Sequence, residues 1–303
     1  FAKRNAAGTQ GEWERTDYGL DVKLKAEPGD YILTVIDDLA RVEIPVTIDA
    51  QKTLKIEPSL EAGIVSLTGQ FSEEADLSGD GAAWEIAGPD GNWIATKYGS
   101  AASFLMNTGS YLARLTIGNA KAEQPFTIAA GQTQDLVLTL GAGTLAVTGV
   151  FADGGPDVTK DLAVEVSEGA ADISGERKSI ATKYDANSIF QLPAGKYHVS
   201  MKVGFATAAQ DVEIKPGQQT ALKINLNAGY IAASSPGAGD IHVLAKEKDI
   251  QGEQKEFGMQ WGDKIDAAFN AGSYIVRAVK DGAVVGEKPV DLAAGKRVEI
   301  TIP

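Results

Sequence analysis

A short motif, Gly-x-Tyr, recurs four times along this 303-residue chain and constrains its fold more than any other feature. The tyrosines are Tyr31, Tyr111, Tyr197 and Tyr274, at intervals of 80, 86 and 77 residues. The matching glycines are Gly29, Gly109, Gly195 and Gly272. Self-similarity at a nearly fixed period is the mark of a tandem array. The spacing therefore predicts about four related domains, each one period long.

Apolar and polar residues alternate after each motif. In the third copy Tyr197, Val199 and Met201 alternate with His198 and Ser200. A period of two predicts a half-buried β-strand. A second strand ends about 17 residues after each tyrosine, at Ile48, Ile128, Ile214 and Leu292. A glycine suited to a turn follows in three copies, at Gly131, Gly217 and Gly295.

A closing strand ends each repeat. Its alternation is clearest in the third copy, at Leu222, Ile224 and Leu226, and the first copy begins the same pattern at Leu54 and Ile56. The third repeat as a whole predicts seven strands, near 144–151, 162–168, 178–184, 187–192, 195–203, 205–214 and 218–226. Seven short strands separated by turns are typical of a β-sandwich. We predict an all-β protein.

Ala-Gly pairs at 62–63, 142–143 and 228–229 immediately precede new strand patterns and indicate short boundaries. The predicted domains are therefore 1–63, 64–143, 144–229 and 230–303. Tyr111 lies 48 residues after Gly63, whereas only 30 residues precede Tyr31. We therefore expect the first domain to be truncated at its N-terminus and to lack its opening strand.

Charge and composition exclude several classes of partner. The net charge of −13 and the absence of cysteine argue against a nucleic-acid groove, disulfides and thiolate metal sites. Apolar runs fall short of the roughly 18 residues that a membrane helix needs. We expect no nucleic-acid partner and no membrane insertion within this chain.

Catalytic patterns are weak. The two histidines, His198 and His242, fall in different repeats, so they form neither a metal pair at helical spacing nor a repeated triad. The run from Gly141 to Ala146 fits a dinucleotide fingerprint, but it leads into a predicted strand instead of the helix that such a site requires. We predict a protein that is not an enzyme and has no cofactor.

An acidic loop begins like a calcium loop. Asp76, Ser78 and Asp80 place oxygen ligands at alternate positions, and Gly81 fits the sharp turn. The twelfth position is Ala87, so the bidentate glutamate is missing. A solvated loop is the favoured interpretation, with a calcium site as the alternative.

Several aromatic residues suggest a flat platform for a sugar ring or a protein partner: Trp84, Trp93, Trp261, Tyr98 and Tyr184. Core packing is the prediction for most of them, because tryptophan is well buried on average. Trp93 follows a turn and is the best candidate for exposure, although burial is the favoured interpretation for it as well. We take Trp93 and Tyr98 as the candidate ligand-binding residues.

The segment from Leu192 to Val199, the strand through Ile214, the Pro216-Gly217 turn and the closing strand together resemble a known family. They are similar to the prealbumin-like, or carboxypeptidase-regulatory-like, Ig-like repeats of bacterial envelope proteins, some of which accompany von Willebrand type A domains. The resemblance covers the whole chain. It implies about four small seven-stranded β-sandwiches in tandem, located in the periplasm or on the cell surface. It also implies a structural role for each tyrosine, whose hydroxyl bonds back to the chain.

The favoured hypothesis is a non-enzymatic rod of β-sandwiches acting as spacer, scaffold or protein-binding stalk in the bacterial envelope, with another envelope protein as partner. One alternative is glycan or peptidoglycan binding through exposed aromatics, with a polysaccharide as partner. Another is an accessory region of a larger protein whose active domain lies elsewhere. Because a fold hosts many functions, the choice depends on surfaces that only a structure can show.

Overall fold

The computed structural model describes residues 1–5, 7–77 and 81–303. The regular secondary structure of these residues consists of strands, β1 to β26, which confirms the all-β prediction. The chain divides into two compact units. Unit 1 comprises Phe1–Ile117 and Lys121–Leu140, and unit 2 comprises Gly118–Ala120 and Gly141–Pro303. The four-domain division stays a prediction.

Repeat 1, in unit 1, has a single four-stranded sheet among its described residues. Its strands are β1 (Ala2–Arg4), β2 (Gln10–Trp13), β3 (Gly29–Asp37) and β4 (Ala40–Ile48). They pair antiparallel in the order β2-β1-β3-β4. The Phe1 ring packs edge-on against Tyr31, with 5.2 Å between ring centroids. Residues 14–28 and 49–61 belong to no strand.

Repeat 2 has two sheets. Its strands are β5 (Ala62–Ser72), β6 (Ala75–Asp76), β7 (Ala83–Ala87), β8 (Trp93–Tyr98), β9 (Ala101–Asn107), β10 (Gly109–Ile117), β11 (Ala120–Ile128) and β12 (Thr133–Thr139). One sheet has the order β11-β10-β7-β8, and in the other β5 lies between β9 and β12. Val65, Trp84, Phe104 and Leu115 are fully buried, so both sheets contribute large side chains to the interior.

Repeat 3, in unit 2, contains the seven strands predicted for it. They are β13 (Ala142–Val150), β14 (Leu162–Glu168), β15 (Ser179–Lys183), β16 (Ser188–Pro193), β17 (Gly195–Val203), β18 (Ala206–Ile214) and β19 (Gln219–Asn225). The sheets have the orders β16-β13-β19 and β15-β14-β17-β18. Leu145, Phe190 and Leu222 from the first sheet share one core with Val164 and Val199 from the second. The predicted β-sandwich is therefore confirmed.

Repeat 4 has the same plan. Its strands are β20 (Ala228–Ser234), β21 (Asp240–Lys248), β22 (Gln254–Trp261), β23 (Lys264–Asn270), β24 (Gly272–Lys280), β25 (Ala283–Leu292) and β26 (Arg297–Thr301). The sheets have the orders β23-β20-β26 and β22-β21-β24-β25. Ile231, Val243, Phe269 and Val276 lie in its core.

In repeats 2, 3 and 4 the opening strand is the central strand of the sheet that also contains the closing strand. In repeat 3, β13 pairs antiparallel with β16 and parallel with the closing strand β19. The opening strands β5 and β20 have the same two kinds of neighbour. The closing strand is thus held at the sheet edge by the opening strand.

The Ala-Gly pairs at 62–63, 142–143 and 228–229 are the first two residues of the opening strands. A Cβ atom on Gly63, Gly143 or Gly229 would meet a backbone carbonyl oxygen at 2.5, 2.4 or 2.3 Å. The chain turns one residue earlier instead, where Glu61, Gly141 and Asn227 have φ angles of 46°, 58° and 45°. Close packing, not flexibility, requires glycine here.

Candidate functional site

The four motif tyrosines make the same hydrogen bond. Each hydroxyl donates to the backbone carbonyl four residues earlier, at 2.9 Å from Tyr31, 2.9 Å from Tyr111, 2.8 Å from Tyr197 and 2.6 Å from Tyr274. Burial raises the pKa of the last three phenols. A buried hydroxyl that has a partner avoids a desolvation penalty of about 1–3 kcal/mol. This is the geometry of a structural tyrosine corner.

A second shared motif, Ala-Thr-Lys-Tyr at 95–98 and 181–184, holds the smaller sheet by its lysine. The Lys97 ammonium donates to the Ser103 carbonyl at 2.6 Å and lies 4.3 Å from the Phe104 ring centroid. Lys183 donates in the same way to the Ile189 carbonyl beside the Phe190 ring. An ammonium over an aromatic face is stabilised by the ring quadrupole. The lysine of the motif is therefore explained by packing in both repeats.

Repeats 1 and 2 are joined within unit 1 by the tip of the β3–β4 hairpin. The Leu39 amide donates to the Leu105 carbonyl at 3.0 Å, and the Arg41 amide donates to Oδ1 of Asn107 at 2.8 Å. The Asp38 carboxylate accepts from the Leu105 amide at 3.1 Å and from Lys97 at 2.9 Å. Nδ2 of Asn107 donates to the Leu60 carbonyl at 2.6 Å, so the side chain that binds the hairpin also binds the segment before β5.

Repeats 3 and 4 are joined within unit 2 by the corresponding atoms. The Phe205 amide donates to the Ala268 carbonyl at 2.9 Å, and the Thr207 amide donates to Oδ1 of Asn270 at 3.2 Å. Nδ2 of Asn270 returns a bond to the Thr207 carbonyl at 3.0 Å. The rings of Phe205 and Phe269 stack with centroids 5.0 Å apart. We call this arrangement, in either unit, the hairpin clamp.

The clamp residues were missed by the sequence analysis. Asn107 and Asn270 both stand four residues before the motif tyrosine, and Pro193 occupies that position in the third copy. Aligning the repeats on the tyrosine would have shown the shared asparagine. Its role needed the fold, because its partners lie 63 to 66 residues away in the sequence.

The aromatic residues differ from the prediction. Trp84 is buried and donates from its indole to the Gly99 carbonyl at 3.1 Å. Core packing is wrong for the rest, since Trp93, Tyr98, Tyr184 and Trp261 are 42, 78, 75 and 75% exposed. Short edge strands and turns hold them, so one side of each remains open to solvent.

Trp93 does not present a bare face. The Arg114 guanidinium lies 3.9 Å from its ring centroid and bonds to Glu123 at 2.7 Å. Stacking of a cation on the indole covers one face of the ring. Trp93 and Tyr98 stay a predicted ligand site, in which Tyr98 is the more accessible of the two.

The two histidines are bonded to carboxylates. Nδ1 of His198 lies 2.6 Å from Asp211, whose pKa is lowered mainly by that hydrogen bond. His242 lies 2.5 Å from Glu256 and 3.2 Å from Asp240. Both imidazoles are on sheet surfaces, and their described bonds include no serine or threonine hydroxyl. Surface ion pairs of this kind contribute little stability.

The calcium prediction falls mostly outside the described residues, because Ser78 and Asp80 are not among them. Asp76 ends the short strand β6, and Ala87 is buried in β7. Among the described residues no group of three or more His, Cys, Asp or Glu side chains is arranged so that it could hold a metal ion. The same part of the chain contains no helix long and apolar enough to span a membrane. The calcium site stays a prediction.

Repeat 1 exposes apolar residues in the two segments beside its sheet. Leu20, Val22 and Leu54 are 109, 41 and 51% exposed, although each belongs to an alternating, strand-like pattern. Lys23 and Lys55 lie in the same two segments. Lys55 is paired with Glu57 at 2.5 Å, and acidic residues such as Asp21 alternate with the apolar ones, so the two segments carry both charges.

No protein-family model matches the chain, and no curated protein is significantly similar to it. Solved structures that are similar to the chain include the TIE protein of Bacillus anthracis, at 12% identity and a TM-score of 0.25, with 90% of this chain and 57% of that chain covered. The chain thus spans less than two thirds of that protein. The Streptococcal ancillary pilin has 12% identity and a TM-score of 0.29, covering 80% and 99%. The major pilin subunit of Bacillus cereus has 13% identity and a TM-score of 0.22, covering 80% and 98%. We transfer no function from these likenesses.

Proposed function

We propose that this chain is a non-enzymatic structural and interaction module of the bacterial envelope, in which tandem β-sandwiches act as spacer, scaffold or protein-binding stalk. The hairpin clamp carries the proposal. It recurs with the same backbone atoms and the same asparagine in both units. The contact that recurs in both units is therefore one that joins neighbouring repeats.

The clamp couples one repeat to the next mechanically. Asn270 bonds to Thr207 of repeat 3 and also to the Leu226 carbonyl at the junction, at 2.8 Å. Three bonds from one side chain restrict both the hairpin and the connection. A spacer requires such coupling, because independent domains on free linkers would bend between every pair.

An Asn270→Ala variant tests this proposal. We expect the wild-type repeats 3 and 4 to lose hydrogen-exchange protection together in urea, since they are coupled through the clamp. The variant should lose about 1–2 kcal/mol and let repeat 4 open separately. Asn187→Ala, at an exposed loop position of the same unit, is the matched control. Unchanged joint unfolding in Asn270→Ala would remove the clamp as the basis for a spacer.

A protein partner is tested by crosslinking in cells. Lys52 and Lys55 are suitable reporters because their side chains are 73 and 83% exposed. A reproducible crosslink from one repeat to an envelope protein supports a scaffold or binding stalk. Crosslinks confined to the chain itself contradict that role and leave a passive spacer.

Glycan binding is the second candidate, and one observation favours it. Tyr98 and Tyr184 occupy the same position of the Ala-Thr-Lys-Tyr motif and are both largely exposed. An exposed phenol ring can stack on the face of a sugar ring, and repeats 2 and 3 each present one such ring. A Tyr98→Ala, Tyr184→Ala double variant should lose co-sedimentation with peptidoglycan while keeping its stability. Unchanged co-sedimentation would exclude this pair.

A further inference from the structure

We propose that repeats 2, 3 and 4 each carry one sugar-binding position, formed by Tyr98, Tyr184 and Trp261 respectively, and that the ligand is a neutral polysaccharide. This deepens the glycan-binding candidate, on which it rests, by adding a third residue and naming the class of ligand. The strand registers place the three aromatic residues at the same point of their sandwiches.

Strand pairing establishes the equivalence. In each of these repeats the residue four positions after the motif tyrosine is buried, and it pairs with a buried residue of the neighbouring strand, which in turn pairs with the edge strand β8, β15 or β22. The three rows are Leu115–Trp84–Lys97, Met201–Val164–Lys183 and Ala278–Ile241–Gln260. The next residue along the chain from the edge strand's member of each row is Tyr98, Tyr184 or Trp261.

The three rings are open to solvent to nearly the same extent. Tyr98, Tyr184 and Trp261 are 78, 75 and 75% exposed. Because side chains alternate along a strand, the residue after a core-facing position points to the outer face of the sheet. The residue opposite Tyr98 is Ala83, which is too small to cover the ring. Core packing therefore does not account for an aromatic residue at this position in three repeats.

A carboxylate stands on the neighbouring strand beside each ring. Glu85 and Glu165 are diagonally across from the two tyrosines, and Asp240 is directly opposite the tryptophan. Diagonal neighbours are about 7–8 Å apart, within reach of long side chains. Glu85 also contacts Arg114 at 3.5 Å, and Asp240 contacts His242 at 3.2 Å. A carboxylate has about four acceptor sites, so each of these acids can accept further hydrogen bonds.

These groups fit the chemistry of a pyranose ring. Tyrosine and tryptophan supply rigid, flat contact area at a low cost in conformational entropy. A carboxylate only accepts hydrogen bonds, so the ligand must donate them, as sugar hydroxyls do. The net charge of −13 and the acid beside each ring disfavour an anionic polymer. The ligand is therefore a neutral sugar.

Repetition favours a polysaccharide over a protein partner. A stable protein interface buries about 800 Å² on each side, whereas one aromatic side chain supplies about 150–250 Å². A single ring beside one acid is closer in size to one sugar unit. The same pair of groups in three repeats fits a ligand whose own units repeat.

The test uses the full chain labelled with fluorotyrosine and fluorotryptophan, so that fluorine NMR reports each ring separately. The probes are a neutral tetramer of β-linked N-acetylglucosamine and the anionic tetragalacturonate. Single alanine variants of Tyr98, Tyr184 and Trp261 assign the three signals. Tyr18, which is 94% exposed and lies outside the strands, supplies the matched control signal, assigned with Tyr18→Ala.

We expect the tetramer to shift the three signals and not that of Tyr18, with a Kd on the order of 1 mM because one sugar ring buries little area. Tetragalacturonate should bind roughly five-fold more weakly at low salt, and salt should reduce the difference. Glu165→Ala should weaken binding at Tyr184 roughly five-fold and leave Trp261 unaffected. Because the rings are exposed, their alanine variants should keep the stability of the wild type in urea.

Four results would overturn the inference. These are no shift at Trp261, equal affinity for tetragalacturonate, an equal shift at Tyr18, and a protein crosslinked in cells that Trp261→Ala releases, which would make a protein the occupant. Shifts at Tyr98 and Tyr184 without one at Trp261 would leave the glycan-binding candidate in place. If all three signals shift but the wild type does not co-sediment with peptidoglycan, only peptidoglycan is excluded as the source of the sugar.

Discussion

Repeats 1 and 3 share the same sequence pattern but form different structures. Repeat 3 closes two sheets over a single core, whereas the described residues of repeat 1 form one sheet. Both contain a closing segment with alternating apolar residues, which is a strand at 219–225 and is not one at 53–57. The difference is that no opening strand lies beside residues 53–57 within the described part of repeat 1. A closing strand therefore depends on its partner more than on its own sequence.

This dependence has a physical basis. A strand at a sheet edge gains its hydrogen bonds from a single neighbour and its burial from the opposite sheet. In repeat 3, β19 forms its hydrogen bonds with β13, and its Leu222 and Ile224 side chains pack into the core shared with the opposite sheet. In the described part of repeat 1, residues 53–57 have no neighbouring strand to bond to, and Leu54 and Ile56 have no closed core to pack into. β-Propensity alone does not offset the conformational entropy lost on ordering.

The largest expected effect comes from damage to the central strand of repeat 3. Leu145 is fully buried, so Leu145→Ala should lose about 2–5 kcal/mol through lost burial and a cavity. The matched change Leu54→Ala in repeat 1 removes a half-exposed side chain and should cost under about 0.5 kcal/mol. Urea unfolding followed by hydrogen exchange within each repeat measures both. Similar losses in the two variants would contradict the contrast between the repeats.

The tyrosine corner should behave alike in both repeats, since Tyr31 and Tyr197 make bonds of similar length. Tyr31→Phe and Tyr197→Phe should each lose about 0.5–1.5 kcal/mol at neutral pH. Exposed Tyr98→Phe is the control. A loss confined to Tyr197→Phe would mean that the corner needs a closed sandwich around it.

Alkaline pH sharpens the Tyr197 experiment. Burial raises the pKa of this phenol above its ordinary value. The protonated form is therefore favoured on folding, and its stabilisation is complete below about pH 10, the value in unfolded chains. It is lost as the pH rises through the higher folded-state pKa. The stability gap between wild type and Tyr197→Phe should narrow there, because phenylalanine does not ionise.

Much of the fold could be predicted because the alternation of apolar and polar residues that marks a strand is local in the sequence. The seven strands of repeat 3 were placed to within two residues by alternation and turn glycines. The clamps could not be predicted, because Asn107 and Asn270 act through backbone atoms of another repeat. The burial expected for Trp93 and Trp261 was wrong for a related reason. Whether an aromatic side chain is covered depends on which strand lies at the sheet edge, and the local pattern does not specify it.

A smaller effect separates the turns of the two repeats. Gly131, Gly217 and Gly295 have φ angles near 70°, and repeat 1 places Gln51 at the same position with φ 62°. The left-handed region costs a side-chain-bearing residue about 1–2 kcal/mol, partly balanced by the greater entropy of glycine when unfolded. Gln51→Gly should therefore stabilise the β4 end of repeat 1 by about 0.5–1 kcal/mol. Urea unfolding of repeat 1 measures the gain, and the reverse change Gly217→Gln should destabilise repeat 3.

The smallest effect concerns the charged residues on the strands that border β20, the central strand of repeat 4. Hydrogen bonds from Arg297 hold the pKa of Asp266 below its usual range. The stabilisation they give is present above the unfolded-state value near 3.9 and is lost as the pH falls through the lower folded-state pKa. Arg297→Gln should return the Asp266 pKa toward normal in an NMR titration, with little change in neutral-pH stability because the pair is exposed. Lys55→Gln in repeat 1 should leave the Asp266 titration unchanged. If the pKa of Asp266 in Arg297→Gln stayed as low as in the wild type, the arginine would not be the cause of the lowered value.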